Sequence, residues 1–356
     1  MIGCKGDTME KKVSIKDVAN LAGVSVSTVS RALNNGTYVS LNTRKRIMDA
    51  VEQLNFRPNY FAKALKVGVS KIIALILPNI NNPVYALITQ GVESIARMKG
   101  YNVILCNTDE NINTELEHIS LLKDRNVDGF IFATARSDTH HIDNLVAAGI
   151  PTVDVMRYSL GANAVTVDNF KIGYDATTYL IQRGHRKISI FTGDDNIISY
   201  KLRTDGYRQA LAEHGIECSE NNIISSRVED TAALRRTITD AIRNRTVPDA
   251  IFCVNWPRAV SVYGAAKELG LKIPDDLSVF GVDDLEFIPF LDPPLTTIAQ
   301  PFYEMGRKAA EVLLQELAQT ETSSATRSFV QIIMPTEIIE RDSIAVKKSS
   351  STFDLP

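Results

Sequence analysis

The first part of the chain has apolar residues at helical spacing. Residues 13–34 predict two short helices that meet at Gly23, since glycine readily adopts the left-handed conformation in which helices end. Ser14 and Asp17 are spaced as a capping box at the start of the first helix. The pattern is typical of a helix-turn-helix, whose second helix lies in the major groove of DNA. A small helical hairpin that binds nothing would give the same pattern, so the two helices alone leave both interpretations open.

The second helix is expected to have an apolar and a polar side. Ser25 or Ser27 can cap its start, and Val24, Val29 and Leu33 are expected to be buried. The side chains expected to point outward are Val26, Ser27, Ser30 and Arg31. This polar side is the candidate surface for reading DNA.

A third helix and a linker complete the region. Ser40 is placed to cap the third helix, which extends the helical head over residues 13–57. Residues 58–70 are expected to form a linker with a short helix, because Pro58 can open a helix and apolar residues recur after it. So short a helix is marginal in water and needs a partner to form. Residues 1–12 are expected to be a disordered extension.

From residue 71 onward, short apolar runs alternate with longer amphipathic stretches. Buried strands alternating with helices predict parallel sheets with helices on both faces. About ten strands are too many for one such sheet of ordinary size, so we expect two sheets, with the break near Asp168.

Polar residues follow several of the apolar runs, namely Asn79, Asn107, Thr108, Asp109, Asp194, Asn255, Asp283 and Asp284. Each of them alone is best interpreted as a cap or turn residue. Their recurrence predicts a polar cleft, because ligands bind at the carboxyl ends of parallel strands.

Charge is distributed unevenly along the chain. Residues 11–71 hold 11 Lys and Arg and 3 Asp and Glu, a formal charge of +8, and the rest therefore carries −11, since the whole chain carries −3. A basic head on an acidic body predicts a polyanion as the partner of the head. Together with the helix-turn-helix pattern, this charge favours DNA.

Other features narrow the class of protein. No apolar run approaches the roughly 20 residues needed to cross a bilayer, and the N-terminus lacks the apolar core of a signal peptide. The four cysteines, Cys4, Cys106, Cys218 and Cys253, lie far apart, which suits reduced thiols in a cytosol. The sequence contains no zinc-protease, nucleophile-elbow or nucleotide-binding glycine motif. We therefore expect a cytoplasmic protein that is not an enzyme and uses no metal or cofactor.

The chain resembles the LacI/GalR (lactose-repressor) family of bacterial transcription regulators over about residues 13–342. The resemblance rests on DVANLAGVSVSTVSR, LNFRPNYFAKAL, RNVDGFI, RGHRKI, and GVDD followed by PPLTTIAQP. It implies a helix-turn-helix headpiece and a core like that of periplasmic binding proteins, with two doubly wound parallel-sheet subdomains. It also implies a homodimer that binds a pseudo-palindromic operator in double-stranded DNA.

The resemblance implies three crossings of the chain between the two subdomains of a core over residues 71–342. The expected boundaries are 71–168 with 302–325 for the first subdomain, 169–301 with 326–342 for the second, and 343–356 for a tail. This tail has no leucine heptads, so the tetramer-forming coil of some relatives is not expected.

Roles in the head follow from the same resemblance. The residues that would read bases are Val26, Ser27 and Arg31, and those that would contact phosphates are Ser25, Thr28 and Ser30. Residues 59–66 resemble the hinge helix of the family, whose minor-groove contacts would come from Asn59, Ala62, Leu65 and Lys66. Leu65 would wedge into the central base step and bend the duplex; the alternative is that Leu65 is simply buried against the core.

The cleft residues also follow from the resemblance. Arg203, Asn255 and Asp283 match effector-contacting positions, and their donors and acceptors suit the vicinal hydroxyls of a sugar-like ligand. Further lining positions are Tyr85, Asn107, Asp109, Arg157, Ser199 and Trp256. This chain has Asn255-Trp256-Pro257 where many relatives have Asn-Asp, and the position of an aromatic stacker falls near Val228. Trp256 could offer the ligand an aromatic face or pack on the surface where a helix begins.

Two other functions remain open at this point. A plain sugar-binding protein would share the core, but it would have no use for residues 13–66 and would need a signal peptide. A protein corepressor could replace the small effector, as in the catabolite-control branch of the family. It would face residues 84–99 and 301–310.

Overall fold

The computed structural model describes residues 13–33, 39–56, 68–133, 140–156, 161–227, 230–244, 247–320 and 329–347 of the chain. The chain forms two compact units, Met1–Ser70 and Lys71–Pro356. Within the described residues, no helix combines the length and the apolar composition needed to cross a membrane. Cys106, Cys218 and Cys253 are free thiols.

The described residues of the first unit form three helices around a small apolar core. They are α1 (Ile15–Ala22), α2 (Val26–Leu33) and α3 (Leu41–Gln53). Val18, Val29 and Ile47 are fully buried at the centre, one from each helix. Ser40 caps α3, because its hydroxyl accepts a hydrogen bond from the Thr43 backbone N–H at 3.2 Å. The three-helix headpiece predicted from the sequence is therefore confirmed.

The turn between α1 and α2 is built from local hydrogen bonds. The Ser14 N–H donates to the Asp17 carboxylate at 2.8 Å, as expected of a capping box. Gly23 has φ 63° and ends α1 in the left-handed conformation. The Ser25 hydroxyl accepts from the Thr28 N–H at 3.2 Å and so caps α2. Neighbouring residues thus fix the angle at which α2 leaves α1.

The first sheet of the second unit is entirely parallel. Its strands, in spatial order, are β11 (Gln331–Met334), β5 (Asn163–Val167), β4 (Thr152–Val155), β3 (Gly129–Phe132), β1 (Ile72–Leu77) and β2 (Asn102–Asn107). The helices of this subdomain are α4 (Pro83–Met98), α5 (Ile112–Asp124), α6 (His140–Ala147) and α11 (Phe302–Thr320). The apolar runs form buried strands because helices cover the sheet, as the alternating pattern predicted.

The second sheet has the same plan with one antiparallel edge. Its strands, in spatial order, are β12 (Glu337–Ile339), β10 (Thr296–Ala299), β9 (Ser278–Val282), β8 (Ala250–Cys253), β6 (Ile188–Thr192) and β7 (Ile223–Ser225). Among these described strands, β12 is antiparallel to its neighbour β10, and the other neighbouring pairs are parallel. The helices are α7 (Asn169–Gln182), α8 (Ile198–Glu213), α9 (Thr231–Asn244) and α10 (Trp256–Leu269). The predicted break near Asp168 is correct, because Asp168 lies between the last residue of β5 and the start of α7.

The third crossing between the sheets differs from the sequence-based boundary. Residues 326–342 were expected in the second subdomain, but β11 pairs with β5 in the first sheet, with Gln331 opposite Ala164. The crossing therefore falls between Met334 and Glu337. The expectation was wrong because it followed the resemblance: residues 329–334 (FVQIIM) do form an apolar run, but such a run does not indicate which of two sheets an edge strand joins.

The core also extends further than residue 342. Ser343 is fully buried, and its hydroxyl donates to the Val279 carbonyl at 2.7 Å. The Lys347 N–H donates to the Arg183 carbonyl at 2.8 Å. The first residues of the expected tail thus belong to the second subdomain, because their backbone completes hydrogen bonds with it.

Candidate functional site

The helix α2 exposes the side chains that were predicted to read bases. Val26 is 40% exposed, and Ser27 and Arg31 are exposed on the same helix, whereas Val29 and Ala32 are buried. The α2 surface thus presents one apolar, one hydroxyl and one guanidinium group to solvent. This mixture can contact a thymine methyl group and hydrogen-bond acceptors on base edges.

Hydroxyl groups cluster at the N-terminus of α2. The Ser25 oxygen lies 2.8 Å from the Ser27 hydroxyl and 2.8 Å from the Thr28 hydroxyl. Ser25 is exposed, and Thr28 and Ser30 are half-buried. A helix N-terminus with hydroxyl donors favours a phosphate oxygen, because its free N–H groups carry partial positive charge.

Two arginines of α3 have a role that the sequence did not reveal. Arg44 donates to the Ala32 carbonyl in the last turn of α2 at 3.1 Å, and Arg46 donates to the Ala22 carbonyl at the end of α1. Cations at helix C-termini neutralise the carbonyl end of the helix dipole. Arg44 and Arg46 thus connect α3 to α2 and α1. The sequence gives no spacing rule from which these carbonyl partners could be predicted.

Several predicted contacts lie outside the described residues. These are the hinge residues Asn59, Ala62, Leu65 and Lys66, the cleft residue Arg157, and Val228. Their roles remain predictions from the resemblance.

In the second unit, Arg203 and Asp283 are two buried, opposite charges at the carboxyl edge of the second sheet. Arg203 on α8 is 4% exposed and Asp283 after β9 is 5% exposed. The Arg203 Nε donates to the Asn169 side-chain oxygen at 2.9 Å, and another guanidinium nitrogen donates to the Val254 carbonyl. These two bonds hold the guanidinium beside the end of β8.

The Asp283 carboxylate is held from two sides. It accepts from the Gln300 amide at 2.6 Å and from the Trp256 backbone N–H at 3.3 Å. Burial raises the pKa of Asp283 above its ordinary value, and the Arg203 charge and these two hydrogen bonds lower it only in part. Asp283 has φ 81°, a conformation that is strained for a non-glycine residue. Such strain is typical of positions whose geometry serves a ligand.

Asn255 lies in the cleft but its amide is largely occupied. It caps α10, and its oxygen accepts from the Arg258 backbone N–H at 3.4 Å and from the Arg258 guanidinium at 3.1 Å. Its nitrogen donates to the Tyr200 hydroxyl at 2.8 Å. Asn255 therefore organises its neighbours, and Tyr200 and Arg258 are site residues that sequence reasoning missed.

Trp256 begins α10 and lies at the junction of the two subdomains. Its indole N–H donates to the Asn82 side-chain oxygen at 3.1 Å, and Asn82 caps α4 of the first subdomain. Its ring meets Phe287 edge-on, with centroids 5.2 Å apart and planes at 75°. Trp256 thus begins a helix, as one of the two alternatives expected, but it is half-buried between protein groups and does not lie on the surface. The other alternative, an aromatic face for the ligand, stays a prediction.

The other predicted lining residues lie at the strand and helix ends where they were expected. Tyr85 is 5% exposed in the first turns of α4, and Ser199 is 8% exposed in the first turn of α8. Asn107 accepts from the Ile80 N–H at 2.7 Å and donates to Asp109 at 2.6 Å. Asn107 and Asp109 thus form a local cluster after β2. In the second subdomain, the Trp256 N–H donates to Asp283, and the Arg203 charge acts on the pKa of Asp283.

Comparison with known protein families gives two matches along the chain. Residues 14–59 match the model for bacterial regulatory proteins of the lacI family. Residues 70–335 match the model for periplasmic binding proteins and the sugar binding domain of the LacI family. The chain belongs to the LacI family. It is a DNA-binding transcriptional regulator with a sugar-binding type of core.

Individual relatives agree with this assignment. The HTH-type transcriptional regulator DegA of Bacillus subtilis is 33% identical over 337 residues, which covers 93% of this chain and 98% of DegA. The lac repressor dimer bound to operator and the anti-inducer ONPF has a TM-score of 0.82 at 25% identity, covering 94% of this chain and 100% of that one. The complex of the regulator CelR with cellobiose has a TM-score of 0.68 at 27% identity, covering 93% and 99%.

Proposed function

We propose that this LacI-family regulator binds a pseudo-palindromic operator as a homodimer and is controlled by a small sugar-like effector in the cleft of its core. The observation that carries the effector site is the buried Arg203 and Asp283 at the carboxyl edge of the second sheet. Two opposite charges are costly to bury in an apolar interior, so their retention favours a polar ligand. The headpiece would bind the operator.

On the DNA side, Val26, Ser27 and Arg31 would read bases in the major groove. An arginine can donate two hydrogen bonds to guanine, and an apolar side chain suits a thymine methyl group. The hydroxyls of Ser25, Thr28 and Ser30 would contact phosphates and set the register. Leu65, with Asn59, Ala62 and Lys66, would bind the minor groove and bend the duplex, so Leu65→Ala should weaken operator binding.

On the effector side, the chemistry favours a ligand with several hydroxyl groups. A carboxylate offers acceptors to vicinal hydroxyls, and a guanidinium donates to ring or hydroxyl oxygens in a fork. Ser199 adds a hydroxyl in the first turn of α8. In proteins of the same architecture, the regulator CelR forms a complex with the sugar cellobiose, and the lac repressor dimer binds the anti-inducer ONPF.

Control would arise from a movement of the two subdomains. A ligand that binds one subdomain arrangement better than another shifts the equilibrium between them by its differential affinity. Operator affinity changes by the same coupling free energy, whichever direction the change takes. Phosphate contacts make operator binding fall steeply with salt.

The experiment measures operator affinity of the full chain with and without single sugars, for wild type and Asp283→Asn. We expect at least one sugar to raise the melting temperature and to change operator affinity, and Asp283→Asn to abolish both effects. Asp240→Asn, an exposed carboxylate on α9, is the matched control and should respond like wild type. A sugar response that survives Asp283→Asn would refute the site.

A further inference from the structure

Two side chains cover the ends of β6 and β7 in the second sheet. An added Cβ on Gly193, directly after β6, would lie 2.5 Å from the Tyr200 ring and 2.7 Å from the Arg258 guanidinium. Both side chains therefore pack directly against the backbone at the carboxyl end of β6. Only glycine leaves room for them there.

Arg258 connects the strand ends to one another. It is fully buried, and its guanidinium donates to the Thr192 carbonyl at the end of β6 at 2.8 Å and to the Ser226 carbonyl after β7 at 3.0 Å. It also donates to the Asn255 oxygen after β8 at 3.1 Å. A buried arginine with this many carbonyl and amide acceptors is a structural connector, and its charge is occupied by the protein.

Tyr200 packs beside this guanidinium at the end of β6. The Arg258 guanidinium carbon is 4.9 Å from the centroid of the Tyr200 ring, and the Tyr200 hydroxyl accepts from Asn255 at 2.8 Å. Tyr200 is 7% exposed, so its ring fills space at the strand ends. Its ring and its hydroxyl are thus both held by the start of α10, through Arg258 and Asn255.

The edge left for a ligand is that of β8, β9 and β10. Ligands of parallel sheets bind outside the carboxyl ends of strands, and three strand ends span about 10 Å. Arg203 and Asp283 lie at this part of the edge, beside Val254 and Gln300. About 10 Å is the width of one sugar ring with its hydroxyls, and a ligand that extended from here towards β6 would meet Tyr200, which packs against Gly193.

We propose that Tyr200 is a specificity-determining residue that restricts the effector to a single-ring polyol by closing the β6–β7 part of the cleft. The inference rests on the proposed effector function. The expected preference for a single ring differs from that of CelR, a regulator of the same architecture that forms a complex with the disaccharide cellobiose.

The test compares ribose, glucose and cellobiose by calorimetry on the full chain as wild type, Tyr200→Ala, Tyr200→Leu and Tyr200→Phe. We expect wild type to bind one of the monosaccharides and to bind cellobiose at least about tenfold more weakly, because the second ring has no room. Tyr200→Ala should gain about tenfold or more in cellobiose affinity. Tyr200→Phe keeps the ring and should keep the wild-type order of preference.

Unliganded melting temperatures show whether each variant folds. If Tyr200→Ala does not fold, Tyr200→Leu decides, since leucine removes the ring but keeps an apolar side chain. The proposal is overturned if wild type binds cellobiose as tightly as a monosaccharide. It is also overturned if Tyr200→Ala, or Tyr200→Leu where the alanine variant does not fold, keeps the wild-type order of sugar affinities. Binding of none of the three sugars also overturns it. Operator affinity is measured in parallel to distinguish failure of this proposal from failure of the proposed function. A sugar response that depends on Asp283 supports the proposed function even if Tyr200 has no effect on sugar preference.

Discussion

The indole nitrogen of Trp256 donates a hydrogen bond to the side-chain oxygen of Asn82 at 3.1 Å, across the junction of the two subdomains. The backbone N–H of the same tryptophan donates to Asp283. One residue thus contacts both the acidic group of the candidate effector site and the opposite subdomain. A ligand at Asp283 can alter the subdomain junction directly through Trp256.

Asn82→Ser should loosen this junction. Serine still caps α4, because it is a favoured N-cap residue, but its side chain is too short to reach the indole. The loss of a single hydrogen bond of this kind costs about 1 kcal/mol. Since Trp256 is the only tryptophan, its fluorescence reports the change, and we expect red-shifted emission and stronger acrylamide quenching.

Asn111→Ser is the matched control for that variant. Asn111 caps α5 as Asn82 caps α4, with its oxygen accepting from the Asn113 N–H at 2.9 Å. The control variant should fluoresce like wild type. Equal spectra for Asn82→Ser and wild type would show that the bond does not hold the junction.

Arg31→Ala should relax base preference. Arg31 is exposed on α2, and loss of an arginine that donates to guanine costs about 1–3 kcal/mol at one position of the site. Selection from an operator library should therefore yield a less defined base at that position. Lys16→Ala, an exposed cation on α1, should lower affinity without changing the selected sequence. An unchanged selection for Arg31→Ala would exclude base reading by Arg31.

Arg46→Met should destabilise the headpiece without changing the salt dependence of operator binding. The Arg46 guanidinium binds the Ala22 carbonyl at the end of α1, so its loss leaves that carbonyl without a cationic partner. A residue that contacts a phosphate would instead reduce the salt slope by about 1. Lys45→Met removes a neighbouring exposed charge and serves as comparison. A reduced slope for Arg46→Met would reassign Arg46 to the DNA.

The elements that the sequence predicted are those specified by local patterns. The caps at Ser14 and Ser40 and the end of α1 at Gly23 depend only on residues within one helical turn. The inner strands appeared because burial on both faces requires a continuous apolar run. The edge strand β11 also contains apolar residues, but these do not indicate which sheet a strand joins, so its pairing with β5 was not predicted.

The sequence predicted which charged and polar residues belong to the candidate site, but it did not predict their hydrogen-bond partners. Arg203 and Asp283 could be named because they match the family motifs, but their protein partners Asn169 and Gln300 depend on the fold. Arg258 is an ordinary polar residue in the sequence, and its complete burial follows from acceptors at the ends of three strands. No local sequence pattern indicates partners that are so far apart in the chain.

His185 should make the stability of the core depend on pH. The imidazole is fully buried, and its Nε2 lies 3.0 Å from the Ala345 carbonyl. Burial lowers the pKa of His185 below its usual 6.5; the Ala345 carbonyl and Asp249 act in the opposite direction, and Lys347 adds to the lowering. The unfolded chain therefore binds a proton at a higher pH than the folded chain does.

The stability that His185 contributes is thus complete above about pH 6.5 and is lost as pH falls through the lowered pKa. Urea unfolding of the full chain from about pH 8 to about pH 5 should show this fall. His185→Gln can keep the hydrogen bond to the Ala345 carbonyl without titrating, and should flatten the profile in this range. His140→Gln, at an exposed histidine on α6, should leave the wild-type slope. A wild-type slope that persists in His185→Gln would assign the pH dependence to other groups.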